Sequence, residues 1–451
     1  MKIIDTLKNV WNITELKDRI ILTLGLLLVY RFGAQVVLPG IDATQLGGLA
    51  SGVDGGILGI LNMFTGGAFA NASVFALGIM PYISASIVVQ LMGIAIPYLQ
   101  KLQKEGASGQ KKITQITRWL TIIICLFQAP GYLASLQPAF GIPSSAFLLG
   151  TGPQFYISSV IILVTGCIFA MWLGEKITDK GIGNGISLLI MVGIIATLPQ
   201  SFIQNAASRL DGGGNGGLMM ILIELVVWFV IILASIMLVM AVRKIAVQYA
   251  RRTASGGYEK NVFGGNRQFL PLKLNASGVM PIIFAQAIMF VPSLIGKSMG
   301  SSSEIGQWMQ AQFNDPFGLW YNVLFALLII VFTYFYTAIT VPTNKMADDL
   351  KRSGGFIPGI RPGTETSEYL DKVMSQITLP GSIFLALIAV FPAIIVQIMG
   401  VQGGWALFFG GTSLLIMVGV AIDTMQQVNS YLLNKHYDGL MKTGKNRKAV
   451  A

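Results

Sequence analysis

Apolar residues in this chain neither recur at the three-to-four spacing of a water-facing helix nor alternate as in a half-buried strand. They come in nearly unbroken runs of about twenty, separated by short polar stretches. A run of that length, coiled as a helix, crosses roughly 30 Å of hydrocarbon. Ten such runs are legible, at about 20–38, 74–96, 117–137, 154–173, 185–203, 217–242, 275–297, 317–342, 378–399 and 405–425. Outer-membrane barrels are excluded, because their strands are about ten residues long and alternate apolar with polar positions. The predicted fold class is all-α: a polytopic membrane protein with ten transmembrane helices.

The polar stretches sort by charge. Numbering them alternately puts 28 of the 31 Lys and Arg residues on one side: the N-terminus, the 97–118, 174–184, 243–273 and 343–377 loops, and the tail. Arg209 and Lys297 lie on the other side, and Arg31 lies inside the first run. The positive-inside rule then places both termini in the cytoplasm. The N-terminus is polar through Arg19 and lacks a short apolar core with a small-residue cleavage site, so it is expected to be retained. Composition agrees with a membrane protein: 53% of residues are hydrophobic, 11% are charged and the mean hydropathy is +0.67, which excludes a soluble chain. The net charge of +11 therefore belongs to the cytoplasmic face, where anionic lipid headgroups account for it without nucleic acid.

Gly78-Ile79-Met80-Pro81-Tyr82-Ile83 opens the second run, and Gly278-Val279-Met280-Pro281-Ile282-Ile283 opens the seventh. Five runs separate them, and five is odd, so two related halves would be inserted with opposite orientation. Residues 57–70 form a further apolar, uncharged segment that is too short to cross. It suits a re-entrant or interfacial element, read either as a surface helix that caps the bundle or as a movable stopper.

Most catalytic chemistry is absent. Cys125 and Cys167 both sit inside apolar runs and are expected to be packing residues. The single histidine, His436, lies beyond the last run. Gly296-Lys297-Ser298 has the tail of a phosphate-binding loop but lacks its first glycine, which is Val291 here. Gly181-Ile182-Gly183-Asn184-Gly185 misses the dinucleotide spacing and reads as a flexible loop entering the fifth run. No metal ligand set, cofactor motif or catalytic constellation is found, so neither a metal nor a cofactor is expected. Arg31, Glu224 and Asp423 are the charges that clearly fall within runs. Such charges are costly and invite pairing or a pathway role, although Glu224 and Asp423 lie near run ends, where snorkelling to headgroups serves equally well.

Several motifs together resemble the SecY family of bacterial protein-translocation channels. They are 75–86 (Phe-Ala-Leu-Gly-Ile-Met-Pro-Tyr-Ile-Ser-Ala-Ser), 171–178 with 181–187, Leu270-Pro271-Leu272-Lys273, Pro358-Gly359-Ile360-Arg361-Pro362-Gly363 and 410–416, in the family's order and over essentially the whole chain. The resemblance implies two inverted, pseudo-symmetric halves of five helices, a clamshell around an hourglass pore. The halves would be 1–203 and 204–428, with a cytoplasmic tail at 429–451. It also implies an apolar pore ring of Ile79, Ile83, Ile186, Ile190, Ile283 and Ile416. Branched aliphatic side chains offer ions and water no hydrogen bond, so a narrow ring dewets yet yields to a passing chain. Residues 57–70 resemble the plug, with Ile57, Leu61, Met63, Phe64, Gly66 and Gly67 in it. A lateral gate would open between the second and third and the seventh and eighth helices, with Ser84, Gln90, Phe127 and Gln128 on the first side. There, polar residues such as Gln90 could hydrogen-bond across the closed seam.

By the same resemblance the 243–273 loop, with Arg243, Lys244, Arg251, Arg252 and Lys273, docks ribosomes and the SecA ATPase, and Arg361 serves SecA-driven transport. Further implied partners are SecE-like and SecG-like small subunits, preprotein signal sequences, membrane lipids and additional insertion factors. The expected function is a protein-conducting channel that is not an enzyme. A secondary transporter of a small solute is the alternative, though it would call for coupling charges near midspan.

Overall fold

The computed structural model describes residues 11, 13–42, 57–140, 147, 152–211, 217–249, 267–298, 304–313, 315–401 and 403–447. Each predicted span corresponds to a helix, because backbone in hydrocarbon must satisfy its hydrogen bonds internally. The helices are α1 (Thr14–Gly33), α2 (Ile57–Thr65), α3 (Met80–Ala95), α4 (Pro97–Lys104), α5 (Ala107–Phe140), α6 (Pro153–Lys180), α7 (Gly185–Asp211) and α8 (Gly217–Met240). There follow α9 (Met280–Ser298), α10 (Glu304–Phe313), α11 (Leu319–Thr340), α12 (Thr343–Arg352), α13 (Thr364–Met399), α14 (Gly403–Ala406) and α15 (Gly411–Arg447). Among the described residues seven helices are long and apolar enough to cross a membrane on their own. An eighth arises if α3 and α4, which meet at a 102° bend, count as one broken span. Proline at the start of α4 cannot donate the backbone bond that would continue α3, which is why the chain turns there.

Several boundaries differ from those read off hydropathy. The first helix begins at Thr14 and stops at Gly33, since 36–38 runs alongside 72–74 instead: Leu38 N–H donates to Ala72 C=O at 2.9 Å and Val74 N–H to Val36 C=O at 2.9 Å. The 97–118 and 343–377 stretches, expected as loops, are largely helical. In the second of these, buried Ala347 and Leu350 of α12 supply an apolar stripe that a hydropathy average over a charged segment conceals.

The chain divides into two compact units. One comprises 1–217, 402–407 and 419–451; the other comprises 218–401 and 408–418. The first unit is centred on a cluster that includes Leu38, Phe69, Ala72, Tyr132 and Leu163, and it buries both cysteines, Cys125 and Cys167. The second unit has one cluster within the apolar helices, around Ile282, Tyr321, Phe325, Ile329 and Leu385, and another under a small sheet. That sheet joins β1 (Val242–Tyr249), β2 (Arg267–Lys273) and β3 (Gly355–Phe356) in the order β2-β1-β3. Both pairings are antiparallel, with Ile245 opposite Leu270 and Gln248 opposite Phe356.

The two Gly-x-Met-Pro segments fold alike. In each, six residues of turn, 74–79 and 274–279, precede a helix that starts at the methionine. Each turn carries a left-handed glycine, Gly78 at φ +53° and Gly278 at φ +66°, a conformation that side-chain-bearing residues seldom adopt. The first helical bonds also correspond: Ile83 N–H to Ile79 at 3.0 Å, and Ile283 N–H to Val279 at 3.4 Å.

Candidate functional site

Helix α2 is nine residues long and uncharged, and it closes in a left-handed glycine turn. Gly67 N–H returns to Asn62 C=O at 2.9 Å and Gly66 N–H to Met63 C=O at 3.1 Å, with Gly66 at φ +67°, so the helix end satisfies its own carbonyls. Asn62 Oδ1 accepts the Ala70 N–H at 2.9 Å, and Thr65 Oγ1 accepts the Phe69 N–H at 3.1 Å, which locks the turn that follows. Tyr132 of α5 donates its hydroxyl to Phe69 C=O at 2.8 Å. Met63 and Phe64 are buried, and Leu61 is partly buried against the first unit's core. The side chain of Ile57 lies outside the described set.

The helix rests on α7 backbone to backbone. A Cβ built at Gly193 would stand 2.7 Å from Phe64 O, closer than real Cβ contacts come, and 3.3 Å from Gly66 N. Arg31 of α1, half-buried, donates from Nη1 to Gly66 C=O at 3.0 Å. Sequence reading marked Arg31 as costly but could not supply its partner, which lies 35 positions away. Of the other two charges within spans, Glu224 is 1% exposed, so snorkelling does not accommodate it, whereas Asp423 is exposed.

The candidate ring residues split between the units. Ile79, Ile83, Ile186 and Ile190 belong to the first and Ile283 and Ile416 to the second; Ile79, Ile190 and Ile416 are buried, and the other three are partly exposed. The start of α3, which carries Ile79 and Ile83, is held by Phe75. Its ring stacks on Tyr30 at 5.6 Å and on Phe169 at 6.0 Å.

Ile186 follows a turn that is tied down rather than flexible. Asn184 Oδ1 accepts the Ile186 N–H at 3.2 Å as a helix cap, and Gly185 N–H donates to Thr178 Oγ1 at 2.9 Å. Gly183 N–H donates to Gln427 Oε1 at 2.9 Å, and Ile182 N–H to Thr23 Oγ1 at 3.2 Å. The glycines are there because this turn is packed among three helices, which composition alone does not reveal.

Of the gate residues, Ser84 is partly exposed while Gln90, Phe127 and Gln128 are exposed, Phe127 at 80%. Gln90 Nε2 donates to Ser86 on its own helix at 3.3 Å. Helices α3 and α5, which carry these residues, pack against each other. A contact that sequence reading missed lies on the same helix: Arg118 of α5 grips Glu175 of α6. The Gly-Glu-Lys motif was the signal for Glu175, with no indication of its partner.

Lys244 and Lys273 occupy the sheet face away from the core. Pairing of Lys244 with Pro271, Ala246 with Phe269 and Val242 with Lys273 puts these residues on one side, where Phe269 is 60% exposed. Ile245, Val247 and Leu272 bury the opposite side, and Arg243 stands exposed at its end. Arg251 and Arg252 lie outside the described residues.

The Arg361 turn is anchored from below by Ile357 and Ile360, which belong to the same cluster as the sheet. Arg361 C=O accepts the Thr366 hydroxyl at 2.8 Å. Its side chain is 88% exposed and its guanidinium lies 3.8 Å from the Glu365 carboxylate, so it is presented to solvent from a fixed backbone.

A model of the SecY family matches residues 73–425. Protein translocase subunit SecY of Haemophilus influenzae is 41% identical over 432 residues, covering 95% of this chain and 94% of that protein. Two solved structures share the fold at 17% identity, each covering 91% of both chains. One, with a TM-score of 0.59, is described as "The plug domain of the SecY protein" stabilizing the closed state of the translocation channel and maintaining a membrane seal. The other, with a TM-score of 0.54, is Sec61 in the canine ribosome-channel complex from the endoplasmic reticulum.

Proposed function

The chain belongs to the SecY family, and from that premise we propose how it works as a protein-conducting channel. It is a multi-pass membrane protein and a channel subunit, not an enzyme, so the energy for transport comes from partners. Its membrane is the bacterial cytoplasmic membrane, with both termini cytoplasmic; the 28-to-2 bias of basic residues supports that orientation. Its two working halves are 1–203 and 204–428, followed by the tail.

The observation that carries the mechanism is α2, a buried, uncharged helix too short to cross, seated on the bare backbone of a spanning helix. It acts as the plug, and Ile79, Ile83, Ile186, Ile190, Ile283 and Ile416 line the constriction that seals around a moving chain. Ser84, Gln90, Phe127 and Gln128 border the exit through which apolar segments partition into lipid. The exposure of Phe127 supports an apolar surface for such a segment. Lys244, Lys273 and Arg243 on the sheet, Arg251 and Arg252 beyond it, and Arg361 on its turn dock the ribosome and the SecA motor. Clustering of the described members over one core supports a single platform. SecE-like and SecG-like subunits, preprotein signal sequences, membrane lipids and insertion factors complete the set of partners.

The test is single-channel conductance of the chain reconstituted with its small subunits. The intact form is expected to be silent, while deletion of 57–70 and the pair Ile83→Gly/Ile283→Gly pass ions. Silence of all forms, together with gradient-driven uptake of a small solute, would replace the channel with a transporter.

A further inference from the structure

We propose that Arg31 is the latch of the plug and that Gly193 is its seat, so that the closed state is held by one cation and one missing side chain. This rests on the reading of 57–70 as the plug. An arginine within a membrane helix is retained only where something compensates its burial. Here the compensation is the Gly66 carbonyl, reached at 3.0 Å from Nη1.

That carbonyl is well suited to a cation. The two N–H groups at the end of α2 turn back to Asn62 and Met63, so the chain reverses at Gly66 and its C=O points out of the helix. It also lies at the helix C-terminus, where the peptide dipoles leave partial negative charge, and an adjacent guanidinium makes the bond charge-assisted. Because α2 carries no charge of its own, this bond is the point at which a fixed positive charge holds an otherwise apolar element. An apolar contact alone would let the helix slide; a directed bond to one carbonyl sets its register.

The seat is defined by what is absent. A Cβ at Gly66 would collide with the Arg31 guanidinium and stand 2.8 Å from Gly193 Cα, and a Cβ at Gly193 would stand 2.7 Å from Phe64 O. Both glycines are therefore required for α2 to come low enough on α7 for its last carbonyl to reach Arg31. Displacing α2 breaks that bond and parts two backbones that meet at Gly66 and Gly193 with no side chain between them.

The test uses the full chain with its small subunits in planar bilayers. Variants are Arg31→Leu, Arg31→Lys, Gly193→Ala and a 57–70 deletion. In parallel, maleimide labelling is followed at Met63→Cys in a Cys125→Ala/Cys167→Ala background. Arg31→Leu and Gly193→Ala are expected to raise the open probability and the labelling rate roughly tenfold or more, while Arg31→Lys stays near the parent. If the deletion leaks but Arg31→Leu and Gly193→Ala remain as closed and as slowly labelled as the parent, the latch is overturned and the plug reading stands. If the deletion itself does not leak, the plug reading falls and the latch with it. Should Arg31→Leu fail to assemble, Gly193→Ala decides, since it leaves every charge in place: closed and slowly labelled, it overturns the seat.

Discussion

Arg118 and Glu175 face each other as a two-point pair, Nε to Oε1 at 2.9 Å and Nη2 to Oε2 at 2.6 Å, and so fasten α5 to α6. The arginine side chain is half exposed and the glutamate 17% exposed, so solvent screens the pair only partly. A double-mutant cycle of Arg118→Ala and Glu175→Ala, read from thermal unfolding of the purified complex, should give a coupling of about 1 kcal/mol. The coupling should shrink as salt is added; a value that does not respond to salt would mean that packing, not charge, joins these helices.

Gly185 and Gly174 bring α7 and α6 into backbone contact, for a Cβ at Gly185 would meet the Gly174 carbonyl. Carbonyl oxygen on a helix cannot step aside as a flexible side chain can. Gly185→Ala should therefore destabilise the protein by about 1–3 kcal/mol, seen as a lower thermal midpoint and a lower yield of assembled complex.

The buried Tyr132 hydroxyl holds the chain that follows α2 at Phe69 C=O. Tyr132→Phe keeps the ring, which packs on Phe69 at 4.8 Å, and removes only the donor. A loss of about 1–2 kcal/mol is expected, concentrated locally, with faster amide hydrogen exchange over 69–72 than in α5 itself.

Lys244 and Lys273 share the outer face of the β1–β2 ladder, whereas Arg361 stands alone on its turn. Lys244→Ala/Lys273→Ala should weaken ribosome binding and reduce its log–log salt slope by about 1–2, one counterion-release contribution per lost charge. Arg361→Ala should leave thermal stability within about 0.5 kcal/mol, since an exposed side chain carries little packing, while motor-driven transport fails. Arg361→Lys distinguishes a fork-shaped contact from a point charge: recovery of transport by lysine would exclude bidentate recognition.

Much of this architecture is determined by local sequence, and for one reason: in hydrocarbon the backbone has no solvent partner, so an apolar run of sufficient length becomes a helix whatever surrounds it. A helix in each of the ten apolar runs, the uncharged 57–70 segment and the paired Gly-x-Met-Pro starts were legible on that ground. Local rules end where stability comes from neighbours. Helix α12 is charged along its length yet folds because Met346 and Leu350 meet the cluster under the sheet. Strand β1 opens with Val-Arg-Lys, and its alternation emerges only when Ile245 and Val247 find Leu272 and α13. The glycines of 181–185 read as freedom but serve close packing: Thr23 and Gln427 accept the Ile182 and Gly183 N–H groups from distant helices, and Thr178 of α6 accepts that of Gly185. Arg31 is the clearest case. Its cost follows from the sequence, because charge in a membrane span is costly anywhere; its partner, a backbone carbonyl at the end of another helix, has no residue type to betray it, and only the tertiary structure could bring the two within 3.0 Å.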